Sequence, residues 1–195
     1  MECRRCGAPA AYISPFSGVP LCDRCVAAVV LRRFRRELCR ASPRRDERFY
    51  LLATGDRTET LVALDLLIRV ERGFPSRVTM VGTRLLDPLR AAALLGEGMA
   101  VVPYSLESYL ADRLARLASG DLAFPALEGQ ARVVYPLSST PRAEVEAYAR
   151  VRGLPVTRAR YPRIVTMLLK GSPTSLFAAK RFFGNISRIP AKPGI

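Results

Sequence analysis

Residues 49–67, FYLLATGDRTETLVALDLL, read as a buried strand, a tight turn with one glycine and an amphipathic helix. The apolar run at 49–53 suits a central strand, and Leu61, Leu64, Leu67 and Ile68 recur at helical spacing. The same alternation continues downstream, with strands expected at 78–81, 99–102 and 132–135 and helices at 85–95, 106–117 and 141–153. Pro141 suits a helix start and Gly153 a helix end. Strands alternating with helices of this length imply an α/β fold, a mostly parallel sheet with helices on both faces. A loop containing Pro125 fills 120–130, and two short helices are expected at 164–170 and 175–183, around Gly171-Ser172-Pro173.

Ahead of this body stand Cys3-x-x-Cys6 and, after fifteen residues, Cys22-x-x-Cys25. Two such pairs at this spacing point to a structural Zn2+ site, because four thiolates complete a closed tetrahedron with no position left for substrate. Two disulfides and a redox Cys-x-x-Cys are the competing readings. Short strands at 11–13 and 19–21 would flank the turn at 14–18. Cys39 falls in a helical pattern and reads as a packed small hydrophobe.

Val26, Val29, Val30, Phe34 and Leu38 give the next segment one apolar helical face. Arg32, Arg33, Arg35, Arg36 and Arg40 fill much of the rest, Ser42-Pro43 stops the helix, and Arg44, Arg45 and Arg48 follow, eight arginines in seventeen residues. The whole chain carries 31 Lys+Arg against 17 Asp+Glu, a net +14, and its only lysines are Lys170, Lys180 and Lys192. Arginine presents a planar fork to phosphate oxygens, so this excess favours a polyanion, RNA above all, over a membrane surface or a merely solvated face. Lys180, Arg181 and Arg188 form a second basic cluster.

With 195 residues, 49% of them hydrophobic, the chain can fill one ordinary core and a small appendage. No apolar run reaches the roughly 18 residues of a membrane span, and the N-terminus has no signal-peptide pattern, so no membrane partner and a cytoplasmic location are expected. The chain has no histidine, which excludes histidine triads and histidine metal sites. The organisation expected is a zinc knuckle at 1–28, a basic helix and linker at 29–48, an α/β domain at 49–160, and C-terminal helices with a basic tail at 161–195.

The order of these pieces resembles the tRNA 2-thiolation proteins built on an N-type ATP-pyrophosphatase (PP-loop) domain, which make 2-thiouridine at the tRNA wobble position. CRRCGAPA…LCDRC fits that family's N-terminal finger, LRRFRREL its basic helix, and ARVVYPLSSTPRAEVEAYARVRGLP its later strand and helix. The family's ATP loop reads SGGxDS. Placed on it, Thr54, Gly55, Asp56, Arg57, Thr58 and Glu59 keep one glycine, put Asp56 at the second and end on Glu59. Two carboxylates there oppose a triphosphate, so the resemblance implies a degenerate nucleotide loop, no catalytic residue and little use of ATP. Catalytic members also carry cysteines in the α/β body, and this chain has none after Cys39. It is closest in kind to the non-catalytic second subunit of the cytosolic thiouridylase, whose C-terminal stretch KGSPTSLFAAKRF resembles. The function so implied is a tRNA-binding subunit that supports a catalytic thiolase partner. The alternatives are a ribosome- or RNA-associated zinc protein on a degenerate thiolase scaffold, and an active thiolase with an unusual loop.

Overall fold

The computed structural model describes residues 1–14, 17–83, 87–121, 124, 132–159, 161–163, 165–167 and 173–186. Two short strands, β1 (Tyr12–Ile13) and β2 (Pro20–Leu21), pair antiparallel in the knuckle. Helix α1 (Asp23–Arg40) leads to β3 (Arg48–Ala53), α2 (Arg57–Glu71), β4 (Arg77–Gly82), α3 (Pro88–Leu94), β5 (Met99–Val101), α4 (Leu106–Ala118), β6 (Val133–Val134), α5 (Arg142–Val151) and α6 (Pro173–Ile186).

The larger sheet has the order β4-β3-β5-β6, and all of its pairings are parallel. Side chains of a strand alternate between its faces. Phe49 and Leu51 of β3, Met99 and Val101 of β5 and Val134 of β6 therefore point to one face, into the same cluster as Phe34 of α1, Leu66 of α2 and Tyr148 of α5. Leu52 of β3 and Ala100 of β5 point to the other, where Ala91 and Ala92 of α3 cover them. Leu106 and Leu110 of α4 pack with Leu176 and Phe183 of α6 in a further cluster. The expected α/β architecture, a parallel sheet with helices on both faces, is what the chain forms. No helix among the described residues is long and apolar enough to cross a membrane.

Several boundaries differ from expectation for local reasons. α1 begins at Asp23, with Cys22 as its N-cap, so the second cysteine pair opens the helix and α1 runs across residues 28 and 29. α2 begins at Arg57 because Asp56 caps it, which places Arg57, Thr58 and Glu59 in a helical first turn. Pro141 is the N-cap of α5, one residue before its first turn. Leu85, most of the 120–130 loop, Ile164, Lys170, Gly171, Ser172, Arg188 and Lys192 lie outside the described residues.

Candidate functional site

The strand order reverses direction between β3 and β5, and α2 and α4 leave those two strands from their C-terminal ends. Such a reversal opens a crevice, which is where open α/β sheets hold ligands. Here a cavity of about 350 Å³ is lined by Gly55, Asp56, Ser108, Thr157, Arg158 and Tyr161 among others. The N-termini of α2, α4 and α5 meet beside it. Each supplies unbonded N–H groups and a positive dipole end.

The chain's own carboxylates occupy all three. Asp56 Oδ1 accepts from the Glu59 N–H at 2.9 Å and caps α2. Glu59, 1% exposed, reaches α4, where its Oε1 accepts from the Ser105 N–H at 3.2 Å and the Ser108 hydroxyl at 2.7 Å. Glu107 reaches α5, where its Oε2 accepts from the Arg142 N–H at 2.7 Å. The Arg142 guanidinium lies between the first two, with Nη1 2.7 Å from Asp56 Oδ2 and 3.3 Å from Glu59 Oε1. It also donates to Glu146 at 3.0 Å and to the Thr157 carbonyl at 2.8 Å. Thr58 accepts from the Thr157 N–H at 2.7 Å, which ties the segment after α5 to the first turn of α2.

Burial raises the pKa of Glu59, and the neighbouring Asp56 adds to the effect against hydrogen bonds from Ser105 and Ser108. Burial likewise pushes Glu107 up to about 7. Glu59 Oε2 has no hydrogen-bond partner among the described residues. A loop with this content offers an incoming phosphate three helix ends that already hold anions. Sequence reading picked out Asp56 and Glu59 but missed Arg142, Glu107, Ser105, Ser108 and Thr157. One signal was available: Arg142 sits in the first turn of its helix, where a cation opposes the dipole unless acids surround it.

At the other end of the chain, the Sγ atoms of Cys3, Cys6, Cys22 and Cys25 all lie within 4.8 Å of one another, with Cys6 to Cys22 at 3.5 Å and Cys6 to Cys25 at 3.6 Å. A tetrahedral ion with bonds of about 2.3 Å to sulfur holds its thiolates about 3.8 Å apart, so the four cysteines fit one mononuclear ion. A four-iron cubane takes one thiolate at each of four separate irons and needs them spread more widely. Cys3, Cys22 and Cys25 are buried, and they belong to the same core cluster as Phe34 and Phe49. Glu144 of α5 reinforces this junction. It accepts from Ser14 of the knuckle at 3.3 Å and pairs closely with Arg33 of α1.

The basic residues divide into two kinds. Arg32, Arg35, Arg36, Arg40, Arg44, Arg45 and Arg181 are exposed. Among the described residues Arg32, Arg35, Arg44 and Arg45 have no ion pair, while Arg36 and Arg40 share Glu37. Arg33 is held by Glu144. Lys180 of α6 lies 2.5 Å from Ser139 Oγ and 3.5 Å from Glu37 Oε1, which brings the C-terminal basic cluster against α1.

No family model matches the sequence, and no curated protein sequence matches it. Among solved structures, the U34-tRNA thiolase NcsA from Methanococcus maripaludis, determined with its 4Fe-4S cluster, superposes with a TM-score of 0.76 at 17% identity. The match covers 100% of this chain and 89% of that one. The fold is thiolase-like. Among the described residues of this chain, the four-cysteine group that could hold a metal is the N-terminal one.

Proposed function

We propose that this chain is a non-catalytic, tRNA-binding member of a wobble-uridine thiolation system, working beside a catalytic thiolase subunit. The observation that carries this reading is the occupation of the three helix N-termini at the crevice by Asp56, Glu59 and Glu107, with Arg142 bridging the first two. The thiolase-like fold supports the thiolation context. The absence of any cysteine after Cys39 leaves no thiol in the α/β body for sulfur transfer. The exposed arginines of α1 and the linker supply the phosphate contacts. Zn2+ is the ion for Cys3, Cys6, Cys22 and Cys25, since a closed shell of four thiolates around one centre suits it. Its role is to hold the knuckle against α1.

Affinity capture of the tagged chain at native levels tests the reading. The expected result is copurifying tRNA and a second subunit with an intact SGGxDS loop. Recovery of ribosomal subunits in high salt instead would favour the ribosome-associated alternative, and saturable ATP binding at millimolar concentration would restore the enzymatic one.

A further inference from the structure

A groove of about 430 Å³ takes in the outer side of the four-cysteine site, lined by Cys6, Cys22 and Cys25 of that site and by Ala8, Arg24 and Ala28. An ion held by the thiolates needs only the space between their sulfurs. The rest of the volume is bounded by Ala8 of the knuckle and by Arg24 and Ala28 of α1, and the groove lies in the size range of small-ligand pockets, about 300–1,000 Å³. Its lining is cysteine sulfur and alanine carbon with a single cationic side chain, Arg24. Along α1, Arg24, Ala28 and Arg32 follow one another at intervals of four residues and share one stripe of the helix. All three are exposed, and neither arginine has an ion pair among the described residues. Arg5, next to Cys6 on the knuckle side, is exposed as well.

We propose that this groove seats one unpaired nucleobase of an RNA loop, with Arg24, Arg32 and Arg5 holding the flanking phosphates. This rests on the RNA-binding reading above and goes beyond it, because arginines on a helix bind any phosphate backbone, whereas a groove distinguishes unpaired from paired RNA. A base has apolar faces and a phosphate on each side, and the groove matches it with an apolar floor at Ala28 and a cation one helical turn away in each direction. Arg24 at the lip can stack its guanidinium plane on the base. A second copy of the chain fits poorly, since it would bring the same +14 charge to a cationic rim.

The test uses the full, zinc-loaded chain and two RNAs of equal length and phosphate count, one a hairpin with an unpaired loop and one a continuous duplex. Fluorescence anisotropy should show the hairpin binding about tenfold more tightly, the scale of stacking one base. A 2-aminopurine in the loop should change its emission on binding. Ala28→Leu fills the groove from an exposed position with a good helix former; it should abolish the preference while leaving duplex affinity and its salt dependence unchanged. Arg24→Gln leaves the floor intact and should weaken the hairpin more than the duplex. Equal binding of the two RNAs by the native chain, or a preference that survives both substitutions, would overturn the groove assignment and leave the RNA-binding reading in place. Binding of neither RNA would remove both. Displacement of the hairpin loop by a polyglutamate peptide at lower concentration than by free hairpin would overturn it too, reassigning the groove to a protein ligand.

Discussion

Arg142 holds Asp56 and Glu59 together across the crevice, and it is only 5% exposed. Removing one partner of a buried charge pair leaves the other uncompensated, at a cost of about 3–5 kcal/mol. Arg142→Met should destabilise the chain on that scale in urea unfolding. Glu59→Gln keeps an acceptor for Ser105 and Ser108 and removes a charge that burial disfavours, so it should cost under about 1 kcal/mol. Equal losses in the two variants would mean that the hydrogen bonds, not the charges, hold the site. Glu107 supplies a pH signature. Its folded pKa lies near 7, above the ordinary glutamate value of 4.5. The folded state thus binds its proton more tightly than the unfolded state does, and the stability this confers below pH 4.5 is lost as pH rises toward 7 and beyond. The full swing is roughly 3 kcal/mol, since one pKa unit is about 1.4 kcal/mol. Thermal melts at pH 4.5 and 7.5 should show a smaller difference in Glu107→Gln than in the native chain. Beyond the acids at positions 56 and 59 and the cation at Arg142 in a helix's first turn, these roles were not legible in the sequence, because their partners come from α4, α5 and Thr157, remote in the chain.

α1 joins three jobs in one element. Cys22 at its N-cap and Cys25 on its first turn belong to the four-cysteine group, its apolar stripe of Val26, Val30, Phe34 and Leu38 packs into the main core, and its outer face carries the arginines. The apolar stripe and the arginines were legible from helical spacing. The start of the helix was not, since a Cys-x-x-Cys pair reads equally well as a loop. The sequence sets the knuckle at 1–28 apart from the α/β body as a unit of its own. The shared core, with Glu144 tied to both Ser14 and Arg33, changes that expectation. Cys22→Ser should lose the metal and lower the melting temperature of the α/β body along with it, as read by metal analysis and calorimetry on the same sample. A body that melts unchanged would show the knuckle to be independent after all.

For the molecule as a whole, the alternation of apolar runs and helical stripes was enough to give the fold class. The strand order was not available, because register and order depend on contacts between elements far apart in sequence. That order decides where the crevice lies, and so why Ser105 and Ser108, which nothing local marks, meet Glu59 of the 54–59 segment. The picture that results is a thiolase-like fold whose crevice is lined by its own carboxylates and whose α1 and following linker carry a run of exposed arginines. The most direct measurement is tRNA affinity as a function of salt, for the native chain and for the variant with Arg32→Ala, Arg35→Ala and Arg36→Ala, each with and without saturating ATP. Each phosphate contact contributes about one unit to the slope of log affinity against log salt, so the variant's slope should be shallower by about two to three, with ATP changing neither curve. An unchanged slope in the variant, or an affinity that ATP shifts, would contradict the account.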